Sequence, residues 1–324
     1  MDPVTHTLTG VTAANGWFRR RIGPEAVPIL AVAANLPDLD GASYLGGGPY
    51  ALILRRTFGH SIFLIPVWCA LFALAAGWIF PRLRFRTRFA LALFGCAMHL
   101  LFDLINSFGV VVLWPFSDWR PELAIVFIVD FVLTGLLAAP LLLALSKRLR
   151  PRLAALSRAS CAAVVLYLAL CGLSRARAMQ FLDANVEAAP AYAPGESVRA
   201  GHGPPEFSYV FPEPLGPHRW RGVVRDDDLY RLYLIDSIRG SVERVEEMRT
   251  FDDDPRVASA KRSPVGAKLD RFFKAPVWTV TEGSDGAATV SVSDLRFRTL
   301  VLHRKAIFEY VFRVREGGVD VVGW

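Results

Sequence analysis

Ionisable side chains lie in or beside long apolar runs in the first half of this 324-residue sequence. Such groups are costly at membrane depth and commonly mark functional sites. The stretch CAMHLLFDLINSFG, residues 96–109, places His99 and Asp103 one helical turn apart, so both project from one helix face. Two side chains with this spacing can bind the same metal ion. The other members of this set are His6, Asp38, Asp40, Arg56, His60 and Asp130.

The residue types in the set indicate what chemistry it could support. Three imidazoles with the carboxylates of Asp38, Asp40 and Asp103, and no thiolate, suit one or two divalent ions, with zinc, manganese or iron as candidates. In extended chain, both carboxylates of NLPDLDG point to the same side. A bound metal could activate water for hydrolysis, and two metals could hold both oxygens of a phosphoryl displacement.

The apolar runs that carry these residues predict a membrane domain. The chain is 53% hydrophobic with a mean hydropathy of +0.33, too apolar for an ordinary soluble protein of this length. Three runs are long enough, or nearly so, to cross a bilayer as helices, namely residues 61–80, 89–112 and 123–145. Weaker candidates are 159–173, extendable on its N-terminal side, and 4–18 and 26–36, which would cross part-way or form a helical hairpin.

Basic clusters predict the orientation of these helices. Residues 18–21, 81–88 and 146–158 are rich in arginine, and the positive-inside rule assigns such loops to the cytoplasm. The ionisable set then falls in the outer half of the membrane, and everything after residue 173 lies outside. The net charge of +7 is therefore explained by topology, and a nucleic-acid partner is not expected. The four cysteines lie in apolar segments and predict neither disulfides nor a cysteine metal site.

The C-terminal third predicts a small antiparallel β-rich domain. WRGVV and LYRLYLID read as one hairpin, VWTVTEGSDGAATVSVSDL as a second with its turn at 283–286, and AIFEYVFRV as a further strand. We therefore expect an α-helical integral membrane bundle of four to six helices over 1–174, an irregular proline-rich lead-in over 175–217, and the β-rich domain over 218–324. No internal repeat is evident.

Each part of the polar pattern also has a structural interpretation. A His99–Asp103 pair could be an interhelical hydrogen bond, PDLD could be a loop cap, and Asp130 could be a partner for an arginine or a helix N-terminus. Three of the six histidines converge on the same side of the predicted membrane, each near a carboxylate. This convergence favours a metal centre over independent packing choices.

The ordered motifs DPVTHTLTG, LPDLD, RRTFGHS, HLLFDLINSFG and LWPFSD, with an Asp in the following helix, resemble a known family. It is that of the YdjM-type, LexA-regulated bacterial inner-membrane metal-dependent hydrolases, and the resemblance covers residues 1–145. It implies metal ligands at His6, Asp38, Asp40, His60, His99 and Asp103, with Arg56 and Ser107 near the substrate. Where the family has Arg-Gly-x-Thr-His-Ser, this chain has RTFGHS, so no threonine hydroxyl is available to orient His60.

These observations predict a membrane-embedded hydrolase that acts on a phosphoester of a lipid at the outer leaflet of the inner membrane. Arg56 would bind phosphate, Asp103 or Asp130 would act as general base or support a ligand, and Asn106 and Ser107 would lie toward the mouth of the site. Two other functions remain open, and the first of them uses the same histidines and aspartates. The chain could be a transporter or proton relay, or an anchor that presents its C-terminal domain to a partner.

Overall fold

The computed structural model describes residues 1–44, 47–188, 207–214, 216–283, 287–301, 308–315 and 318–324. These residues form two compact units. The first consists of Met1–Gly47 and Leu54–Cys171, and the second of Gly48–Ile53 and Gly172–Trp324. The predicted fold class, a helical membrane region followed by an antiparallel β-rich region, is confirmed.

The first unit is helical. Its α-helices are α1 (Pro3–Ala13), α2 (Arg19–Ile22), α3 (Ala26–Ala33), α5 (Ile65–Ile79), α6 (Phe85–Leu104), α7 (Phe131–Leu143) and the first half of α8 (Leu153–Ala188); α4 (Ala51–Leu54) precedes α5 in the chain. By length and composition, α6 and the helical stretch Arg150–Val186 could each cross a membrane. The segments Ala51–His60 and Ile65–Ile79, bent by 74° at their junction, give a third span if counted as one.

Helices α1 and α3 form the short helical pair predicted for residues 4–18 and 26–36. Asp2 caps α1 by accepting hydrogen bonds from the amides of Val4 and Thr5. The two helices approach closely at Gly10, where an added Cβ would lie 2.3 Å from the Leu30 carbonyl oxygen. Their backbones can therefore meet only because this position has no side chain.

The prediction of a membrane span over residues 123–145 is wrong. Helix α7 has only 13 residues because Asp130 ends the preceding coil as an N-cap, accepting from the Leu133 amide at 2.8 Å. The coil before it turns back onto the end of α6, where the Leu123 amide donates to the Leu104 carbonyl at 2.7 Å. The span predicted over 89–112 likewise ends at Leu104, and α5 begins only at Ile65.

The irregular lead-in predicted over 175–217 is also corrected. Helix α8 continues to Ala188, and strand β1 occupies Phe207–Pro212; residues 189–206 lie outside the described residues. The helix continues because its second half has a buried apolar face: within the second unit, Ala178 and Leu182 pack in one cluster with Trp220 and Ile235.

The second unit contains two four-stranded antiparallel sheets, each a simple meander. The first is β1 to β4 (Phe207–Pro212, Arg219–Asp226, Leu229–Asp236 and Ser241–Arg249), and the second is β5 to β8 (Pro276–Glu282, Ala288–Asp294, Glu309–Arg315 and Gly318–Gly323). Helices α9 (Pro255–Arg262) and α10 (Pro264–Phe272) connect them. Both predicted hairpins are present as β2–β3 and β5–β6, although most of the turn predicted at 283–286 lies outside the described residues.

Candidate metal centre

Helix α6 supplies two side chains to a buried polar cluster in the first unit. His99 and Asp103 project from the same face, with Nε2 of His99 3.3 Å from Oδ2 of Asp103. His99 is 1% exposed and Asp103 is fully buried. His99 lies about 21 Å along the helix axis from Phe85, the first residue of α6, so the cluster belongs to the far third of this candidate span.

His60 reaches the cluster from the 3₁₀ turn Phe58–His60, just before the bend that leads into α5. Its Nε2 lies 3.1 Å from Nε2 of His99 and 3.1 Å from Oδ2 of Asp103. Two imidazoles from different segments and one carboxylate therefore aim at a common point.

Asp38 completes a group of four whose candidate ligand atoms all lie within 4.8 Å of one another. Its Oδ1 is 3.9 Å from Nε2 of both His60 and His99. Both carboxylate oxygens are buried and have no hydrogen-bond partner among the described residues. A buried carboxylate without a partner is costly, and a cation between it and the two imidazoles would remove that cost.

The outer nitrogens of the two histidines indicate where their protons are. Nδ1 of His60 lies 2.9 Å from Oδ2 of Asp40, and Nδ1 of His99 lies 2.7 Å from the carbonyl oxygen of Ala34. A carboxylate and a carbonyl only accept, so each Nδ1 is assigned as the protonated nitrogen. When each ring carries only this proton, both Nε2 atoms have free lone pairs, and these atoms face each other and Asp103.

This arrangement fits a metal ion. A tetrahedral zinc with bonds of about 2.0–2.1 Å separates two nitrogen ligands by about 3.3 Å, close to the spacing of the two Nε2 atoms. Histidines that bind metal commonly donate their other ring N–H to a carboxylate or a carbonyl, as His60 and His99 do here. The group formed by Asp38, His60, His99 and Asp103 can therefore hold a metal ion.

Asp40 supports His60 and is not in the group of four. The extended geometry expected for Asp38 and Asp40 is wrong, since Pro37–Tyr44 forms a 3₁₀ helix that directs their carboxylates to different atoms of the site. Oδ2 of Asp40 faces Nδ1 of His60 and also accepts from the Thr57 amide at 2.9 Å. Asp40 thus orients His60. The RTFGHS sequence has no threonine directly before the histidine that could do so.

We predict that Asp40→Asn weakens metal binding by roughly 10–100-fold, the usual cost of removing a carboxylate behind a metal-bound imidazole. An asparagine amide fits the same space but favours the wrong histidine tautomer if its NH₂ group faces Nδ1. Calorimetric zinc titration of the purified variant measures the effect. Asp2→Asn is the control, since asparagine caps α1 as well as aspartate does; equal zinc affinities in the two variants would contradict the prediction.

Asp103 also contacts His6 and two cations. Its Oδ1 lies 3.2 Å from Nε2 of His6, whose ring stacks on His99 with centroids 3.7 Å apart. The α-amino group of Met1 contacts the same oxygen, and Nε of Arg56 lies 2.8 Å from Oδ2. The structure thus places His6 beside the group of four, in contact with one of its members.

Arg56 is held rigidly in the cluster. It is 1% exposed, its Nη1 donates to Oδ1 of Asn106 at 2.9 Å, and its guanidinium lies 4.7 Å from the centre of the Phe108 ring. Its φ of 57° is unusual for a residue other than glycine and is a strained conformation of the kind found at functional sites. Asn106 and Ser107 are buried too, so neither forms an open mouth as expected.

Asp130 contacts residues of α7 and α8. Its Oδ1 caps α7, and its Oδ2 accepts from the Tyr167 hydroxyl at 2.7 Å. These contacts match the structural interpretation of Asp130 and account for its place in an apolar run.

Sequence reasoning did not find the roles of the Ala34 carbonyl and the Phe108 ring. A carbonyl has no side-chain signal, and Phe108 resembles any other apolar residue in its run.

These features define a membrane protein whose helices enclose a histidine and aspartate cluster able to hold a metal ion. The family described as YdjM inner membrane protein matches residues 1–178, and the chain belongs to this family. The match extends past the motifs at residues 1–145 that carry the resemblance and includes the whole first unit. Comparison with curated proteins and with solved structures gives no match.

Proposed function

We propose that this chain is a membrane-embedded, metal-dependent hydrolase that cleaves a phosphoester of a lipid. The observation that carries the proposal is the convergence of the Nε2 atoms of His60 and His99 on the carboxylates of Asp38 and Asp103. Burying carboxylates in this way lowers the stability of the folded protein unless the group binds a cation. Zinc is the ion proposed, because two imidazoles and two carboxylates without a thiolate are among the ligands it accepts.

In this proposal a bound metal acts as a Lewis acid toward a phosphoryl oxygen and toward water. His60 and His99 hold the ion, and Asp40 and the Ala34 carbonyl fix their tautomers. Asp103 would be a further ligand through Oδ2, while its Oδ1 contacts His6.

Arg56 provides the positive charge that a phosphoester requires. In addition to its contact with Asp103, its guanidinium is desolvated, which strengthens its attraction for an anion. We propose that Arg56, with Asn106 and Ser107 next to it, lines the phosphate side of the site.

A lipid is the proposed substrate because of where the cluster lies along α6. It lies near the Leu104 end of a candidate span, and we propose that this end reaches the depth where lipid head groups begin. Since the basic loops favour the cytoplasm, we propose that this end faces the outer leaflet of the inner membrane and that the C-terminal β-rich unit is periplasmic.

To test the function, we would reconstitute the protein in vesicles, supply zinc, manganese or iron, and measure the release of phosphate or of phosphorylated head groups from phospholipids and isoprenoid phosphates. Release should require a metal and should fall at least about 100-fold in Asp38→Asn. The control is Asp118→Asn, which changes an exposed aspartate of the same unit. Stoichiometric metal in the wild type with no hydrolysis of any phosphoester in the panel would contradict the proposal.

A further inference from the structure

An apolar groove of about 180 Å³ lies between α5 and α6 in the first unit. Every side chain that lines it is a hydrocarbon, so it offers no hydrogen bond to a polar ligand. The lining residues are Ile62, Ile65, Pro66, Leu93, Ala97 and Leu100.

One end of the groove lies at the level of the metal cluster. Leu100 directly follows His99 on α6, and Ile62 lies two residues after His60. From Leu100 the groove follows Ala97 and Leu93 toward the start of α6. These three residues share one helix face over about 10 Å, so the groove runs along the axis of the candidate span.

The bend before α5 and a small side chain on α6 open this space. The chain between His60 and Ile65 is not part of either helical segment, and the two segments meet at 74°. On the opposite wall, alanine at position 97 stands between two leucines, leaving room for a ligand. Ala97 is exposed, so no other described residue fills the gap.

We infer that this groove holds the alkyl chain of the lipid phosphoester, with the phosphate at the metal cluster. The inference rests on the proposed function and specifies its substrate as an amphiphile with a chain next to the phosphate. The groove has only hydrocarbon walls, runs parallel to a candidate spanning helix and ends at the level of the metal ligands. It therefore fits one alkyl chain running along the bilayer normal and fits no polar ligand.

The test uses full-length protein in phosphatidylcholine nanodiscs and dodecyl phosphate with a diazirine at the chain end. After illumination, mass spectrometry should locate the label on the groove residues of α5 and α6. Ala97→Phe should reduce this labelling roughly tenfold, because the ring occupies the groove. Ala90→Phe is the matched control, since Ala90 is an exposed alanine of α6 outside the groove and its variant should label like the wild type.

A second probe separates specific binding from contact with bulk lipid. In the zinc-loaded protein, dodecyl trimethylammonium with the same diazirine should label the groove weakly, because the bound ion and Arg56 favour an anionic head. Equal labelling by both probes, or labelling unaffected by Ala97→Phe, would overturn the inference even if lipid phosphates are hydrolysed. If labelling depends on Ala97 and on the phosphate but no phosphoester is hydrolysed, the groove binds alkyl phosphates and the hydrolase proposal alone fails.

Discussion

His99→Ala and His60→Ala should each abolish metal binding, reducing the metal content from about one ion per chain to near zero. Each change removes one of two imidazoles whose Nε2 atoms lie 3.1 Å apart, and it leaves a single nitrogen ligand beside the two carboxylates. The loss of metal affinity should exceed the roughly 10–100-fold loss expected for Asp40→Asn. Elemental analysis of purified protein, with circular dichroism to verify folding, measures it.

Two further histidine variants make this result specific. His6→Ala should retain the ion, because His6 contacts Asp103 and is not in the group of four. His218→Ala, in the second unit, should have no effect. If His6→Ala loses the metal as completely as His99→Ala, the centre includes His6 and the assignment of four ligands is wrong.

Gly59→Ala should have the second large effect, although it changes no charged or metal-binding group. An added Cβ would lie 2.1 Å from the Pro37 carbonyl oxygen and 3.2 Å from Cγ of Asp40. Both neighbours belong to the segment that carries Asp38, so that segment must shift and move two carboxylates from His60. We expect a loss of about 1–3 kcal/mol in stability, typical of overpacking, together with loss of the metal.

Gly41→Ala is the matched control, because it lies in the same 3₁₀ segment and a Cβ there meets nothing within 4 Å. Thermal unfolding monitored by circular dichroism, combined with elemental analysis, compares the two variants. Similar melting temperatures and metal contents for Gly59→Ala and Gly41→Ala would refute the proposed close contact between the Asp38 segment and the His60 turn.

The sequence predicted the fold class and the polar residues that meet, because both depend on local patterns. Apolar runs identified the helical region, alternation identified the β2–β3 and β5–β6 hairpins, and the four-residue spacing identified the shared face of His99 and Asp103. The length of α7 could not be predicted, since an aspartate in an apolar run can either lie within a helix or cap it. Asp130 caps it, and only its contact with Tyr167 of α8 explains why a carboxylate is tolerated there.

The different roles of the Asp38 and Asp40 carboxylates could not be predicted from the sequence either. Asp38 and Asp40 are two residues apart, and alternation in an extended chain would give them one role. The 3₁₀ helix instead turns Asp38 toward Nε2 and Asp40 toward Nδ1 of His60. That choice depends on the amide of Thr57 and on the absence of a side chain at Gly59, which are contacts between segments distant in sequence.

The partial exposure of Asp38 has a consequence for how the centre is loaded. His60, His99 and Asp103 are each at most 1% exposed, whereas the side chain of Asp38 is 14% exposed. Both of its carboxylate oxygens are nevertheless buried, so an arriving ion could reach Asp38 and the imidazoles only after the 3₁₀ segment Pro37–Tyr44 moves outward. A departing ion would need the same movement, so the rates of metal uptake and release should respond to changes in this segment more strongly than to changes in α6, which carries His99.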